Sequence, residues 1–287
     1  MNKTLIGKEG YLFLINDSAQ ELDVHCNNLC RVSTPINTRF DPYKAKYFIT
    51  IFPNKSFVQQ KYLPDGYTPK YRPAFDIYKS YFGPHLLDGL EIVNDPDRYY
   101  KTDTHINLSG ACRIYERWAH CVGELFGLSI PITEISIRGE KVNSLAKLCL
   151  GIGDLTWPVN LGNQTLDDTT DTYYSSESVE SLYLRYTIHP NSAIRILDKQ
   201  FNDCTEQHTD TILDWNIQSN YMLYRQNENG IPKKVVFLYD SFLVSTLSLY
   251  LQIFSHTYMI KDIYSKKLLD TINPDYIFEF RCERFLF

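Results

Sequence analysis

The sequence has no excess of basic residues, no membrane-length apolar run and no cysteine framework. Its 29 Lys and Arg are outnumbered by 34 Asp and Glu, for a formal net charge of −5. A nucleic-acid surface calls for the opposite balance, or at least a Lys/Arg-rich run, and none is present. No segment approaches the roughly 20 apolar residues of a membrane span. The longest apolar stretch, 235–254, is interrupted by Asp240, Ser241, Ser245, Thr246 and Ser248. The opening "MNKTLIGKEGYLFLIND" lacks the small-residue cleavage pattern of a signal peptide. The seven cysteines are odd in number and scattered singly, apart from Cys26 and Cys30. Reduced thiols and a cytoplasmic setting are therefore expected. Walker and G-x-G-x-x-G loops are absent, so neither nucleotide signature applies.

What is present reads as a soluble globular chain, with 44% hydrophobic and 22% charged residues. Its 287 residues suit one α/β domain carrying an insertion. "AKYFITIFPNK" (45–55) is a near-continuous apolar run, as expected of a strand buried on both faces of a parallel sheet. From Ser109, read as a cap, apolar residues recur at Ala111, Ile114, Tyr115, Trp118, Val122, Leu125 and Phe126, and Gly127 can end the helix. Near the C-terminus, "KKVVFLYDS" is a strand and "FLVSTLSLYLQIFS" reads as a mostly buried helix. "HTYMIKDIY" is a second strand, "SKKLLDTINPD" a short helix and turn, and "YIFEFRCERF" a third strand. That alternation implies crossovers and a parallel sheet. Residues 156–230 are polar and turn-rich, with short strand patterns at "SLYLRYTIHP" and "SAIRIL". They read as an insertion or a substrate-facing subregion.

Two short segments carry chemistry. In "VVFLYDSF", Ser241 stands where a parallel strand passes into a helix, the edge at which open α/β sheets bind ligands. Backbone N–H groups at that turn, Phe242 among them, favour an oxyanion. A serine needs a base to become a nucleophile, and the base needs an orienting acid. "DTH" offers both in one loop before the 109 helix: Asp103 and His105, two apart, can face one side. Taken singly, Ser241 is as well read as a helix cap, and Asp103 as a turn cap. Other histidines lack such a setting. His256 falls at the far end of the helix after Ser241, His120 reads as structural, and His85, His189 and His208 have no visible partner. "HCNNLC" groups His25, Cys26 and Cys30, but zinc sites usually need a second pair. No metal site is expected.

"DTHINLSGA" and "VVFLYDSF" resemble the Asp-His and Gly-Asp-Ser blocks of the SGNH (GDSL-like) hydrolases, in inverted chain order. That order is similar to the circularly permuted branch containing the alginate O-acetyltransferases. "GKEGYLFL" (7–14), "FPNKSFVQQKYLP" (52–64), "GDL" (153–155) and "NPDYIFEFRCERFL" (273–286) resemble further segments of that branch, in its order. Three departures stand out. Tyr239 replaces the Gly before Asp240-Ser241, Ile106 follows His105 where the relatives have Trp, and no export signal is seen.

The resemblance implies a single three-layer α/β/α SGNH-like domain over 1–287, with a parallel sheet in permuted order. In it, the strand "PDYIFEFRCER" lies beside the Ser241 strand, and "KYFITIFP" lies next. Arg281 and Arg284 would then fall near the site, where relatives carry an Asn. They are read as candidates to hold an anionic sugar or a CoA phosphate, or else to pair with Glu279 or Glu283. The activity implied is a serine O-acetyltransferase acting on a polysaccharide or other glycan. Asp103, His105 and Ser241 form its triad, with Asp240 and Phe242 beside it. Acetyl-CoA is the expected donor, no bound cofactor is expected, and association with polysaccharide-synthesis enzymes is implied. An esterase with the same triad, or a non-catalytic glycan-binding module, is the alternative.

Overall fold

The computed structural model describes residues 4–32, 35–101, 103–130, 194–197, 200–201, 222–262 and 264–286. An N-terminal hairpin pairs β1 (Thr4–Ile6) with β2 (Leu12–Leu14). Gly7 is required at its turn, because a Cβ there would meet the Tyr62 carbonyl oxygen at 2.3 Å. There follow α1 (Glu21–Asn27), α2 (Ile36–Phe40), β3 (Tyr47–Phe52), α3 (Lys55–Val58), α4 (Pro73–Phe82), β4 (Leu86–Asp88) and α5 (Leu108–Phe126). Later come β5 (Ile194–Leu197), β6 (Met222–Gln226), β7 (Ile231–Tyr239), α6 (Leu247–Leu251), β8 (Phe254–Ile260), α7 (Lys266–Ile272) and β9 (Tyr276–Cys282).

The main sheet has seven strands in the order β4-β3-β9-β7-β8-β6-β5. Its first five strands run parallel, while β6 is antiparallel to β8 and β5 antiparallel to β6. β3 and the second half of β7 are apolar almost without alternation because both faces are covered, and β9 is apolar apart from Glu279 and Arg281. All six residues of β3 are buried. On one face Phe237, Tyr239, Phe278 and Phe280 pack with Trp118, Tyr115 and Val122 of α5. On the other, Val236, Leu238, Ile277, Ile49 and Ile51 pack with Phe40 of α2, Phe75 and Tyr78 of α4 and Leu269 of α7. The result is a three-layer α/β/α fold. Its two C-terminal strands flank β7, with β3 next to β9, as the permuted order implies.

Two local features differ from expectation. The segment after Ser241 is not one α-helix: a 3-10 turn spans Ser241–Thr246, and α6 follows. Thr246 leaves helical geometry at φ −124, ψ 9, and its hydroxyl donates back to the Leu243 carbonyl at 3.3 Å. A hydroxyl that bonds its own backbone competes with helix propagation. The cap of α5 is Asn107, not Ser109: Asn107 Oδ1 accepts from the Gly110 N–H at 2.9 Å. The Ser109 hydroxyl instead accepts from the Arg98 guanidinium. Of the 156–230 segment, the described strands β5 and β6 extend the sheet at its β8 edge. "GDL" and "SLYLRYTIHP" lie outside the described residues.

Candidate active site

The chain leaves β7 at Tyr239 with its neighbours diverging. It runs to β8 on one side and then, through α7, to β9 on the other. This is a topological switch point, where the strand ends open a crevice. Ser241 sits there. Asp240 fixes the turn beneath it, Oδ1 accepting from the Phe242 N–H at 2.9 Å and Oδ2 from the Cys282 N–H at 2.6 Å. One carboxylate thus ties the β7 end to the β9 end. It also occupies the Phe242 N–H, the donor expected to face an oxyanion. What Phe242 offers the site is its ring, which packs against the His105 imidazole with centroids 4.8 Å apart.

The loop before α5 closes on itself. Tyr99 bridges Ile106, the Tyr100 N–H donates to the His105 carbonyl at 3.2 Å, and the Asn107 N–H donates to the Arg98 carbonyl at 2.9 Å. The first turn of α5 is pressed against this loop. A Cβ on Gly110 would stand 2.6 Å from the Ile106 side chain and 2.7 Å from the Arg98 carbonyl oxygen. The Gly of "LSGA" is thereby explained as a close approach. Ile106 is 2% exposed and belongs to the core. The departure from Trp therefore falls in the packing behind the loop.

At the tip of this loop Asp103 Oδ1 accepts twice, from the His105 backbone N–H at 2.8 Å and from Nδ1 at 2.6 Å. A carboxylate cannot donate, so Nδ1 carries the proton and Nε2 is the basic nitrogen. Nε2 lies 2.7 Å from Ser241 Oγ and accepts its proton. Asp103, His105 and Ser241 are thus joined in one chain of hydrogen bonds. Both loop side chains remain partly exposed, at 18% for Asp103 and 25% for His105.

The two arginines do not face open crevice. Arg281 is buried. Its Nε donates to Glu279 Oε1 at 3.0 Å and its Nη2 to the Asp262 carbonyl at 2.7 Å, while Glu279 also accepts from the Tyr47 hydroxyl. Arg281 therefore pairs with Glu279, as one expectation had it, but in the interior. Arg284 pairs with neither Glu279 nor Glu283. Its Nη1 donates to Glu21 Oε2 of α1 at 3.2 Å, its Nη2 to Thr104 Oγ1 at 3.2 Å, and its guanidinium lies 5.4 Å from the Phe242 ring centre. Glu283 binds Arg72, which also holds Asp88.

The other histidines are engaged elsewhere. His25 bonds the Tyr71 carbonyl through Nδ1 and Asn54 through Nε2, so neither nitrogen is open to a metal. His85 bonds the Tyr47 carbonyl, His256 the Tyr224 hydroxyl, and His120 faces Glu124. His189 and His208 lie outside the described residues.

Sequence reasoning missed three neighbours. Lys55 reaches the carbonyls of Lys101 and Asp103, and the only signal for it was the "PNK" segment. Thr104, between acid and base, is 2% exposed and binds Arg284. Lys261 follows β8 at the same sheet edge. Burial draws its amine down to about 8, against the opposing pull of Asp240.

No protein-family model and no curated protein matches the sequence. Solved structures do. PatB1 from Bacillus cereus aligns with a TM-score of 0.59 at 14% identity, over 99% of this chain and 96% of that one. PatB1 is also known with a sulfonyl adduct, and in that form it aligns with a TM-score of 0.58 at 13% identity, over 100% and 97%. A DHHW family protein from Eubacterium siraeum aligns with a TM-score of 0.55 at 13% identity, over 99% and 91%. The O-acetyltransferase domain of Pseudomonas putida AlgJ aligns with a TM-score of 0.50 at 13% identity, over 99% and 91%. At such identities the likeness establishes the fold. It is a three-layer α/β/α fold, and in this chain the serine strand comes late. Among the described residues no helix is long and apolar enough to cross a membrane.

Proposed function

We propose that the chain is a serine-dependent O-acetyltransferase that modifies a hydroxyl of a polysaccharide or other glycan. The observation that carries the reading is the unbroken Asp103–His105–Ser241 hydrogen-bond chain, at 2.6 and 2.7 Å. The AlgJ domain is named an O-acetyltransferase, which supports the choice of reaction. In the first half-reaction Ser241 Oγ attacks the acetyl carbonyl of the donor while His105 Nε2 takes its proton. The leaving group then receives that proton from His105, and acetyl-Ser241 remains. For acetyl-CoA, the donor we propose, the leaving group is the CoA thiolate. In the second half, the glycan hydroxyl gives its proton to Nε2 and attacks the same carbonyl; the Oγ–acyl bond breaks, Oγ takes the proton back from Nε2, and the acetylated glycan leaves. Asp103 stabilises the imidazolium of both steps. The Ser241 backbone N–H is the donor we assign to the oxyanion, since that of Phe242 is held by Asp240.

The test is an acetyl-CoA assay with and without candidate glycans, run beside Ser241→Ala. Glycan acetylation that depends on Ser241 is expected. Acetate release at the same rate with or without glycan would replace the transferase by an esterase. Undiminished modification by Ser241→Ala would overturn both. Because PatB1 forms a sulfonyl adduct, an arylsulfonyl fluoride offers a substrate-independent probe. In that reaction the Oγ–S bond forms, the S–F bond breaks, His105 takes the Oγ proton and fluoride departs.

A further inference from the structure

We propose that Lys55 is a positioning residue for His105. The inference rests on the triad reading above. Lys55 opens α3, just past the C-terminal end of β3, and is 2% exposed. Burying an ammonium costs several kcal/mol unless it is paired or well bonded. The amine donates to two main-chain carbonyls, Lys101 at 2.7 Å and Asp103 at 2.9 Å, and lies 5.4 Å from the Phe13 ring centre.

Those two carbonyls bracket the approach to the triad. The Lys101 carbonyl also accepts from the Leu12 N–H of β2 at 3.0 Å, so the amine joins the N-terminal hairpin to the loop. Asp103 is then held at both ends: its carbonyl by Lys55, its carboxylate by His105. The carboxylate can orient the imidazole only where its backbone is fixed, and Lys55 fixes it. Thr104, the next residue, is held from the other side by Arg284.

A neutral amide could satisfy carbonyls at a lower desolvation cost. The charge adds an electrostatic effect. Among the described residues, the charged groups near the triad include Asp103 on the His105 loop, Lys55 from α3, Asp240 beside Ser241 with Lys261 acting on it from the end of β8, and Arg284 with its partner Glu21. Asp103 favours the imidazolium, and the Lys55 ammonium opposes it. Without the ammonium, His105 keeps its proton to a higher pH and is a base over a narrower range.

The experiment measures the second-order rate constant for sulfonylation of Ser241 by an arylsulfonyl fluoride, from pH 5 to 9, on the full chain. Lys55→Met, which removes donors and charge, is expected to lower the plateau at least thirtyfold and to move the acid limb up by at least half a pH unit. Lys55→Gln restores one neutral donor. It is expected to recover part of the plateau while keeping the raised limb, a separation that a simple loss of folding does not produce. Should Lys55→Met fail to melt cooperatively, Lys55→Gln is read against wild type by its raised limb. Profiles that coincide with wild type would overturn the role of Lys55 alone. An unlabelled wild-type Ser241 would overturn the triad reading, and this inference with it.

Discussion

Replacing Asp103 by Asn isolates the charge of the orienting acid. In the native loop one oxygen accepts from both the His105 N–H and Nδ1–H. The backbone N–H can be satisfied only by an acceptor, so the Asn oxygen takes that place and its amide turns away. The Nδ1–H tautomer is thereby retained, and what disappears is the carboxylate charge. Two unit charges about 4 Å apart, at an effective dielectric of about 20, interact by about 4 kcal/mol. The imidazolium of the transition state loses that stabilisation, which corresponds to about a thousandfold in rate. The same loss makes the imidazolium more acidic, so the acid limb of the profile moves to lower pH, opposite to the shift expected for Lys55→Met. The assay is the sulfonylation rate of Ser241 followed by intact mass between pH 4 and 9. A plateau within tenfold of wild type, or a limb that moves upward, would refute the reasoning.

Other consequences concern stability. Gly110→Ala drives a methyl into Ile106 and the Arg98 carbonyl, and is expected to cost about 1–3 kcal/mol in urea unfolding. Asn107→Ala removes the α5 cap and is expected to cost about 1 kcal/mol by the same measurement. Lys261 has a folded value near 8 against an ordinary 10.5, so between these values the unfolded chain binds more protons and stability rises with pH. Below pH 8 the amine is charged in both states and its burial penalty is complete. Lys261→Met should therefore stabilise the fold at pH 7, by no more than about 1 kcal/mol for a half-solvated group. The advantage should shrink by pH 9.5 in paired urea melts.

The strands were the most legible part of the chain. β3 and the 235–239 half of β7 are nearly uninterrupted apolar runs because each is covered on both faces, while β9 keeps its apolar positions around the buried Glu279–Arg281 pair. The amphipathic spacing of α5 was equally readable, down to Gly127 at φ 65. The meeting of Ser241 with His105 could be anticipated because each lies at the end of a clear element. The break after Ser241 could not, since "FLVSTLSLYL" has helical spacing and nothing in it marks the 3-10 turn over Ser241–Thr246. The arginines misled for a related reason. Spacing placed Arg281 and Arg284 near the crevice, but strand alternation turns Arg281 to the Glu279 side, and Arg284 meets Glu21 from the far end of the chain. Lys55 was invisible for the same cause: its partners lie 46 and 48 residues away and are backbone atoms, which leave no mark in composition.

The central claim is that Ser241 carries the acetyl group between donor and acceptor. Peptide mass spectrometry of the protein quenched in acid after brief exposure to acetyl-CoA tests it most directly. An acetyl group on Ser241, absent from Ser241→Ala and His105→Ala and discharged when the acceptor glycan is added, is the result expected. Glycan acetylation that proceeds while Ser241 never carries acetyl, with turnover intact in Ser241→Ala, would contradict it.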